Sequence, residues 1–311
     1  MQQNEHETPN LRPMRAEDID RVLEIIYDHD EDDAATAEYT YRESGLTDKF
    51  VLVHEDDILG TTGFNAVEDT DRTYWLSWTY LDDDYQGKGY GRLMMEGLFD
   101  ILQARSARKI FLTTSDYQDE EDGDIYESAR AFYVALGFVE ELRHKDFYAP
   151  GETMIYYGYR FPGLAEAEPV SEAEQAEEKE LGEDEEPLIP GALITGISEI
   201  PETKDAYGLE WRYTQDGTYF DAAMIEKVLA KAREWNARTL FASFPSDLEA
   251  IEALLGPKGF KQHGRLVDFF EDGIDDCHWR FDFQSAPNGG AAKGKPHHGG
   301  NKKRRGKGGR R

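Results

Sequence analysis

The chain has 311 residues, 39 % of them hydrophobic, a single cysteine and a formal net charge of −29. That length holds two ordinary domains with a real core, the lone Cys277 excludes an intramolecular disulfide framework, and the acidic balance works against nucleic acid or anionic membrane as a partner of the main body. The balance is uneven: from Ser285 onward nine Lys/Arg stand without an acid, leaving 26 basic against 64 acidic groups, or −38, on the first 284 residues.

The opening MQQNEHETPN has neither the basic start nor the apolar run of a signal peptide. No stretch approaches the ~20 apolar residues of a membrane span. A cytoplasmic protein without membrane contact is the expectation. LRPMRAEDIDRVLEIIYD reads as a short strand entering a helix, with Ile19, Val22, Leu23 and Ile26 at helical spacing. KFVLVHEDDILGTTGFNAV reads as strands over 50–54 and 58–67 around an Asp-Asp turn. TYWLSWTYL is rich in aromatic and β-branched residues and reads as a strand. Three alternating glycines follow in DDDYQGKGYGRLMMEGLF, at the mouth of a helix expected from about Gly91 to Arg105.

ARKIFLTTS, 107–115, reads as a buried strand, and DYQDEEDGD, 116–124, as an acidic loop. IYESARAFYVALGF reads as a helix that Gly137 stops in a left-handed conformation. Two strands, about 138–148 and 153–161, complete a domain over 10–162. Residues 163–187 are mostly Ala, Glu, Gly and Pro. They hold too few apolar groups to offset ordering entropy and read as a disordered linker. A second folded region is expected over 188–284, and a basic, glycine-rich disordered tail over 285–311. His297 and His298 in that tail are too isolated to be ligands, so no metal site is expected.

The chain repeats itself. ARKIFLTTS has a counterpart in ARTLFASFP at 237–245, and LGFVEELRHKDFYAPG at 136–151 lines up with KGFKQHGRLVDFFEDG at 258–273. Gly137-Phe138 then matches Gly259-Phe260, and Asp146-Phe147 matches Asp268-Phe269.

The glycines raise a chemical question. A glycine brings its N–H to a ligand without a Cβ in the way. Where such a turn opens a helix, several N–H groups lack intrahelical partners and the helix dipole adds positive character. Gln86, Gly87, Lys88, Gly89, Tyr90 and Gly91 therefore suit a phosphate-like anion. The spacing is neither that of a P-loop nor that of a Rossmann fingerprint.

The pattern Q-x-x-G-x-G resembles the pyrophosphate loop of the GNAT family of N-acetyltransferases. YLDDDYQGKGYGRLMMEGL resembles the family's loop motif from strand end to helix, and SARAFYVALGF its following helix motif. The resemblance covers about 10–162. It implies an α/β (α+β) fold, the acyl-CoA N-acyltransferase fold, with a mixed, mostly antiparallel central sheet flanked by helices. A smaller repeat-related α/β unit follows. There DGTYFD at 216–221 stands where the loop would be, so a degenerate second half that does not bind the cofactor is expected.

The resemblance further implies acetyl-CoA as cosubstrate and an amine as acceptor. Main-chain N–H groups of Gly87, Lys88, Gly89, Tyr90 and Gly91 would hold the diphosphate, with Gln86 assisting. The strand end Thr79–Leu81 would pair with the pantetheine arm, and an N–H near Leu81 would stabilise the oxyanion of a tetrahedral intermediate. Tyr133 takes the family's general-acid position. Tyr126 stands where the family often has an Asn that contacts the cofactor. The general base is left open among Glu68, Asp69, the 116–124 acids and water. The acidic loop, Glu120, Glu121 and Asp122 in particular, is expected to favour a cationic acceptor such as a polyamine, an aminoglycoside or a Lys-rich peptide. The alternative is a non-catalytic acyl-CoA-binding or scaffold protein. The basic tail would either contact nucleic acid or the ribosome weakly, with strong salt dependence, or fold back on the acidic body.

Overall fold

The computed structural model describes residues 8–119, 123–162, 188–215, 217–248 and 250–283. The linker read at 163–187, the tail read at 285–311 and the loop acids Glu120, Glu121 and Asp122 lie outside the described residues. In chain order the first part runs β1 (Asn10–Pro13), α1 (Ile19–His29), α2 (Glu31–Tyr39), β2 (Lys49–His54), β3 (Asp57–Ala66), β4 (Thr73–Leu76), β5 (Tyr80–Leu81) and α3 (Tyr90–Ala104). It continues through β6 (Lys109–Ser115), β7 (Gln118–Asp119), β8 (Gly123–Asp124), α4 (Glu127–Ala135), β9 (Val139–His144) and β10 (Met154–Arg160). The second part runs β11 (Leu188–Pro190), β12 (Ala192–Glu199), β13 (Ala206–Tyr213), β14 (Tyr219–Asp221), α5 (Ala222–Glu234), β15 (Thr239–Pro245), α6 (Ala250–Leu255), β16 (Lys261–Glu271) and β17 (Ile274–Asp282). Among the described residues no helix is long and apolar enough to cross a membrane.

The described residues fall into two compact units. The first takes the chain to Phe64 and then Leu76–Ile101; the second takes Asn65–Trp75 and the chain from Leu102 onward. In the first unit β1, β2, β3 and β5 pair antiparallel in that order, with Leu11 opposite Leu52, Phe50 opposite Thr62 and Gly60 opposite Leu81. Alternation along β2 explains its apolar run. Val51 packs with α1 and α2 residues, Val22, Ile26, Ala34 and Ala37 among them, whereas Leu52 packs with Leu59 and with Met94 of α3. A strand covered on both faces has no polar side to display. Helix α2 escapes a reading from periodicity because its sequence, EDDAATAEY, offers only two alanines to the core. Its start is chemical: Asp30 caps it by accepting from the N–H groups of Asp32 and Asp33 at 3.0 and 2.9 Å.

The second unit contains two mixed, mostly antiparallel sheets. In one, β4 runs parallel to β6, and β10 and β9 add antiparallel. In the other, the order is β12-β13-β15-β17-β16, with β13 and β15 as the parallel pair. Backbone exceptions recur between the two parts, and of these Asp146 and Asp268 fall inside the segments matched in the sequence. Left-handed residues stand at Asp69 and Glu202, Arg72 and Asp205, Ser106 and Asn236, and Asp146 and Asp268. The helix stops also agree: the N–H of Phe138 donates to the carbonyl of Tyr133, and that of Phe260 to the carbonyl of Leu255.

The two sheets hold each other through reciprocal contacts. Arg108, whose side chain is 1 % exposed, donates to the carbonyls of Asp71 (2.9 Å), Asp268 and Phe269 (3.0 Å). Arg238 donates to the carbonyls of Lys204 (3.0 Å), Asp146 (2.6 Å) and Phe147 (2.9 Å). The N–H of Asp71 donates to Phe270 and that of Lys204 to Tyr148, both at 2.6 Å. Around them Phe111, Leu142, Tyr156, Leu266 and Phe269 form one cluster, and Phe147, Ala206 and Phe241 another.

One buried polar chain runs through this interior. Asp276 accepts from His278 Nε2 at 3.1 Å, and His278 Nδ1 lies 2.9 Å from His144 Nε2. A carboxylate only accepts, so His278 carries its proton on Nε2, its bare Nδ1 accepts from His144 Nε2–H, and His144 Nδ1 is left bare. That atom is buried without a partner among the described residues. Burial, with His278, His263 and Arg280 nearby, pushes the His144 pKa down to about 2.

Candidate active site

The turn at 86–91 joins β5 to α3 through a 3-10 turn at Asp83–Tyr85. Gly87 and Gly89 adopt φ of +72° and +87°. A Cβ at either would meet nothing within 4 Å, so the demand for glycine there is conformational, and the space in front of the turn is open. Gly89 serves as the N-cap of α3: its carbonyl accepts from the Leu93 N–H at 3.1 Å. The first N–H groups of α3 therefore point out of the helix end, where the dipole favours an anion. Gly91 sits inside the first helical turn without a left-handed φ. Only two of the three glycines need glycine's freedom.

The other loop residues are tied down. Gln86 Nε2 donates to Asp83 Oδ1 at 2.9 Å and reaches Leu81 O at 3.4 Å, and Lys88 Nζ donates to the Asp84 carbonyl at 2.7 Å. In the free protein Gln86 thus braces the turn, and its amide would have to leave Asp83 to reach an anion. Thr79 Oγ1 donates to Ser77 O and lies 2.9 Å from Thr62 Oγ1. Leu81 pairs with Gly60 on one side, and its carbonyl accepts from His29 Nε2 at 2.9 Å.

The first unit also holds a carboxyl that the sequence did not single out. Asp33 of α2 is half-buried and accepts from the Tyr80 hydroxyl and from the Trp78 side chain. Burial raises its pKa, and Asp30 and Asp32 push the same way. Asp18, Asp71, Asp124 and Asp272 are by contrast lowered, each by an arginine partner. Nothing local marks Asp33, because Tyr80 lies 47 residues away in the sequence.

Tyr126 and Tyr133 belong to the second unit and the loop residues to the first. Tyr126 is the N-cap residue of α4, and its N–H donates to Asp124 Oδ1 at 3.2 Å. Tyr133 lies on α4 between Phe132 and Phe138, with both ring centroids 5.6 Å away. Burial pushes its phenol up to about 12, so it holds its proton across the physiological range. Of the base candidates, Glu68 and Asp69 are exposed. Asp116 accepts from the Thr153 N–H, and Asp124 is held below the usual carboxylate range by Arg130. No group of three or more His, Cys, Asp or Glu among the described residues is placed to hold a metal ion.

The sequence repeat sets DGTYFD at 216–221 against the glycine turn. Tyr219–Asp221 form β14, paired with β11, and α5 starts only at Ala222. Its N-cap Asp221 accepts from the Met224 N–H at 3.0 Å, filling the helix end with the chain's own carboxylate. Strand β13 leaves β15 after Gly208; beyond it Trp211 stacks on Phe244 and donates to Ser243 O at 2.8 Å. The residue matching Tyr133 is Leu255, which has no proton to give.

The chain matches the family model described as the acetyltransferase (GNAT) family over residues 16–138. Among solved structures it is similar to a GNAT-family acetyltransferase from Desulfovibrio desulfuricans, at 21 % identity and a TM-score of 0.44 over 49 % of this chain and 99 % of that one. The ribosomal-protein-S18-alanine N-acetyltransferase of Escherichia coli gives 19 % identity and a TM-score of 0.42, over 52 % and 99 %. An aminoglycoside 6'-N-acetyltransferase complexed with coenzyme A gives 13 % and 0.42, over 50 % and 99 %. No curated protein matches the chain. Residues 16–138, which contain the glycine turn, Asp33 and Tyr133, belong to the acetyltransferase (GNAT) family.

Proposed function

We propose that the chain is an N-acetyltransferase that moves an acetyl group from acetyl-CoA to a primary amine of a small molecule or a basic peptide, with 10–162 as the working domain. The observation that carries this reading is the turn at 86–91, where two left-handed glycines open a helix end toward free space. The donor set fits a diphosphate: peptide N–H groups of Gly87, Lys88, Gly89, Tyr90 and Gly91, with no Cβ at the three glycines to block approach. When bound, acetyl-CoA supplies an acetyl group already activated as a thioester. In this reading Thr79–Leu81 guide its pantetheine arm, and Tyr126 takes a contact beside α4. The chain's own work is then proton control. Tyr133, protonated at neutral pH, holds a proton for a departing thiolate. Asp33, with its raised proton affinity, accepts a proton from the incoming ammonium group so that the amine can attack.

The acidic body, −38 over the first 284 residues, favours a cationic acceptor by long-range attraction. The 188–284 half is read as a degenerate repeat that binds no cofactor, since Asp221 and Trp211 occupy the corresponding places. The test is thiol release from acetyl-CoA across a panel of polyamines, aminoglycosides and Lys-rich peptides. Saturable release with at least one amine supports the enzyme. Calorimetric binding of coenzyme A with no release from any amine favours the non-catalytic acyl-CoA-binding alternative.

A further inference from the structure

The cradle's own side chains Gln86 and Lys88 reach back to the neighbouring Asp83 and Asp84. Gln86, Gly87, Lys88 and Gly89 are all exposed, and glycine loses more freedom on ordering than any other residue. An anchor outside the turn adds the order that these exposed local contacts do not supply. The anchoring is visible one step upstream, at Asp82. Its Oδ1 accepts from the Asp84 N–H at 2.8 Å, which caps the 3-10 turn leading into the cradle. Its Oδ2 accepts from Arg21 Nη2 of α1. Arg21 is 39 % and Asp82 17 % exposed, so the pair is partly withdrawn from water.

The grip comes from a rigid element. Val22, Ile25 and Ile26, beside Arg21 on α1, are buried to 0, 1 and 0 % exposure. The same helix holds the preceding residue as well, through His29 Nε2 and the Leu81 carbonyl at 2.9 Å. Charge adds a second reason. Asp82, Asp83 and Asp84 precede the cradle, and an unneutralised carboxylate there would repel a dianionic diphosphate. Arg21 cancels the one that also sets the turn.

We infer that Arg21, acting through Asp82, is a positioning residue that orders and neutralises the approach to the diphosphate cradle. This rests on the proposed reading that 86–91 binds coenzyme A.

The test is calorimetric binding of coenzyme A to the full chain, paired with turnover of acetyl-pantetheine, a donor without the diphosphate. R21A is expected to weaken coenzyme A binding about fivefold or more, while KM for acetyl-pantetheine stays unchanged. In R21A/D82N the asparagine still caps the turn but carries no charge to repel the ligand, so binding is expected to recover to within about twofold of wild type. Equal affinity of wild type and R21A would overturn the inference. So would equal losses for both donors, which would mean general damage, or a double variant no better than R21A, which would mean that Arg21 meets the ligand itself. No heat from coenzyme A with the wild type would remove the reading beneath it, and this inference with it.

Discussion

Arg108 Nη2 lies 3.0 Å from the carbonyl oxygen of Phe269, 161 residues further along the chain, and donates to it. The same guanidinium also holds the carbonyls of Asp71 and Asp268 and the hydroxyl of Thr73. Arg238 makes the mirror set onto Asp146 and Phe147. Removing Arg108 leaves several buried carbonyls without donors and opens a cavity. R108A is expected to lose about 3–5 kcal/mol in urea unfolding. R108K recovers little, because an ammonium has no planar fork to span carbonyls on separate strands. A loss below about 1 kcal/mol would contradict the clamp.

His144 makes the second unit sensitive to acid. The folded pKa is pushed down to about 2, while the unfolded chain keeps the ordinary value of about 6.5. A group depressed on folding binds its proton more readily when unfolded, so stability falls as pH drops below about 6.5. Between pH 6.5 and 4.5, above the carboxylate range, the single group contributes a slope of about 1.4 kcal/mol per pH unit. His263, lowered in the same direction, adds to it. H144L is expected to flatten that slope by about one proton, measured as unfolding free energy against pH.

Gly89 is demanded twice, for its left-handed φ of +87° and for the open approach. G89D is expected to abolish calorimetric binding of coenzyme A. The aspartate strains the turn by about 1–2 kcal/mol and places a carboxylate where the diphosphate would sit. The thermal transition should fall by only a few degrees, since the side chain meets no neighbour within 4 Å. Unchanged binding would end the cradle reading.

The Tyr133 phenol stays protonated because burial holds it near 12. Y133F keeps the ring between Phe132 and Phe138 and removes the proton alone. It is expected to lower kcat by about 10²–10⁴-fold with KM for acetyl-CoA unchanged. An equal fall with a poor acceptor and a good one would locate the loss in thiolate protonation.

Asp33 sets the acid limb of the rate profile in the proposed reaction. Its raised pKa places that limb above the ordinary carboxylate value of about 3.9. Activity therefore declines as falling pH protonates it. D33N should lower kcat and remove this limb, while coenzyme A affinity is retained. A D33N profile with the limb intact would assign the base elsewhere.

Much of this protein was legible one residue at a time. The unbroken apolar run in KFVLVH, the helical spacing of Ile19, Val22 and Ile26, and the alternating glycines at 87, 89 and 91 are local patterns. Backbone geometry alone converts them into a two-faced strand, an amphipathic helix and an open helix end. The distance of Tyr133 from Gly137 and Phe138, and the matching Asp146-Phe147 and Asp268-Phe269 pairs, are local patterns of the same kind, and Asp146 and Asp268 share a left-handed φ. Tertiary structure decided what depends on distant neighbours. Asp33 gains proton affinity because the fold buries it, against the opposing pull of the hydrogen bonds from Tyr80 and Trp78. Arg21 matters through Asp82, 61 residues away, and Arg108 through carbonyls of the second part. An ion's energy is set by what surrounds it in three dimensions, and neighbours along the chain do not fix that.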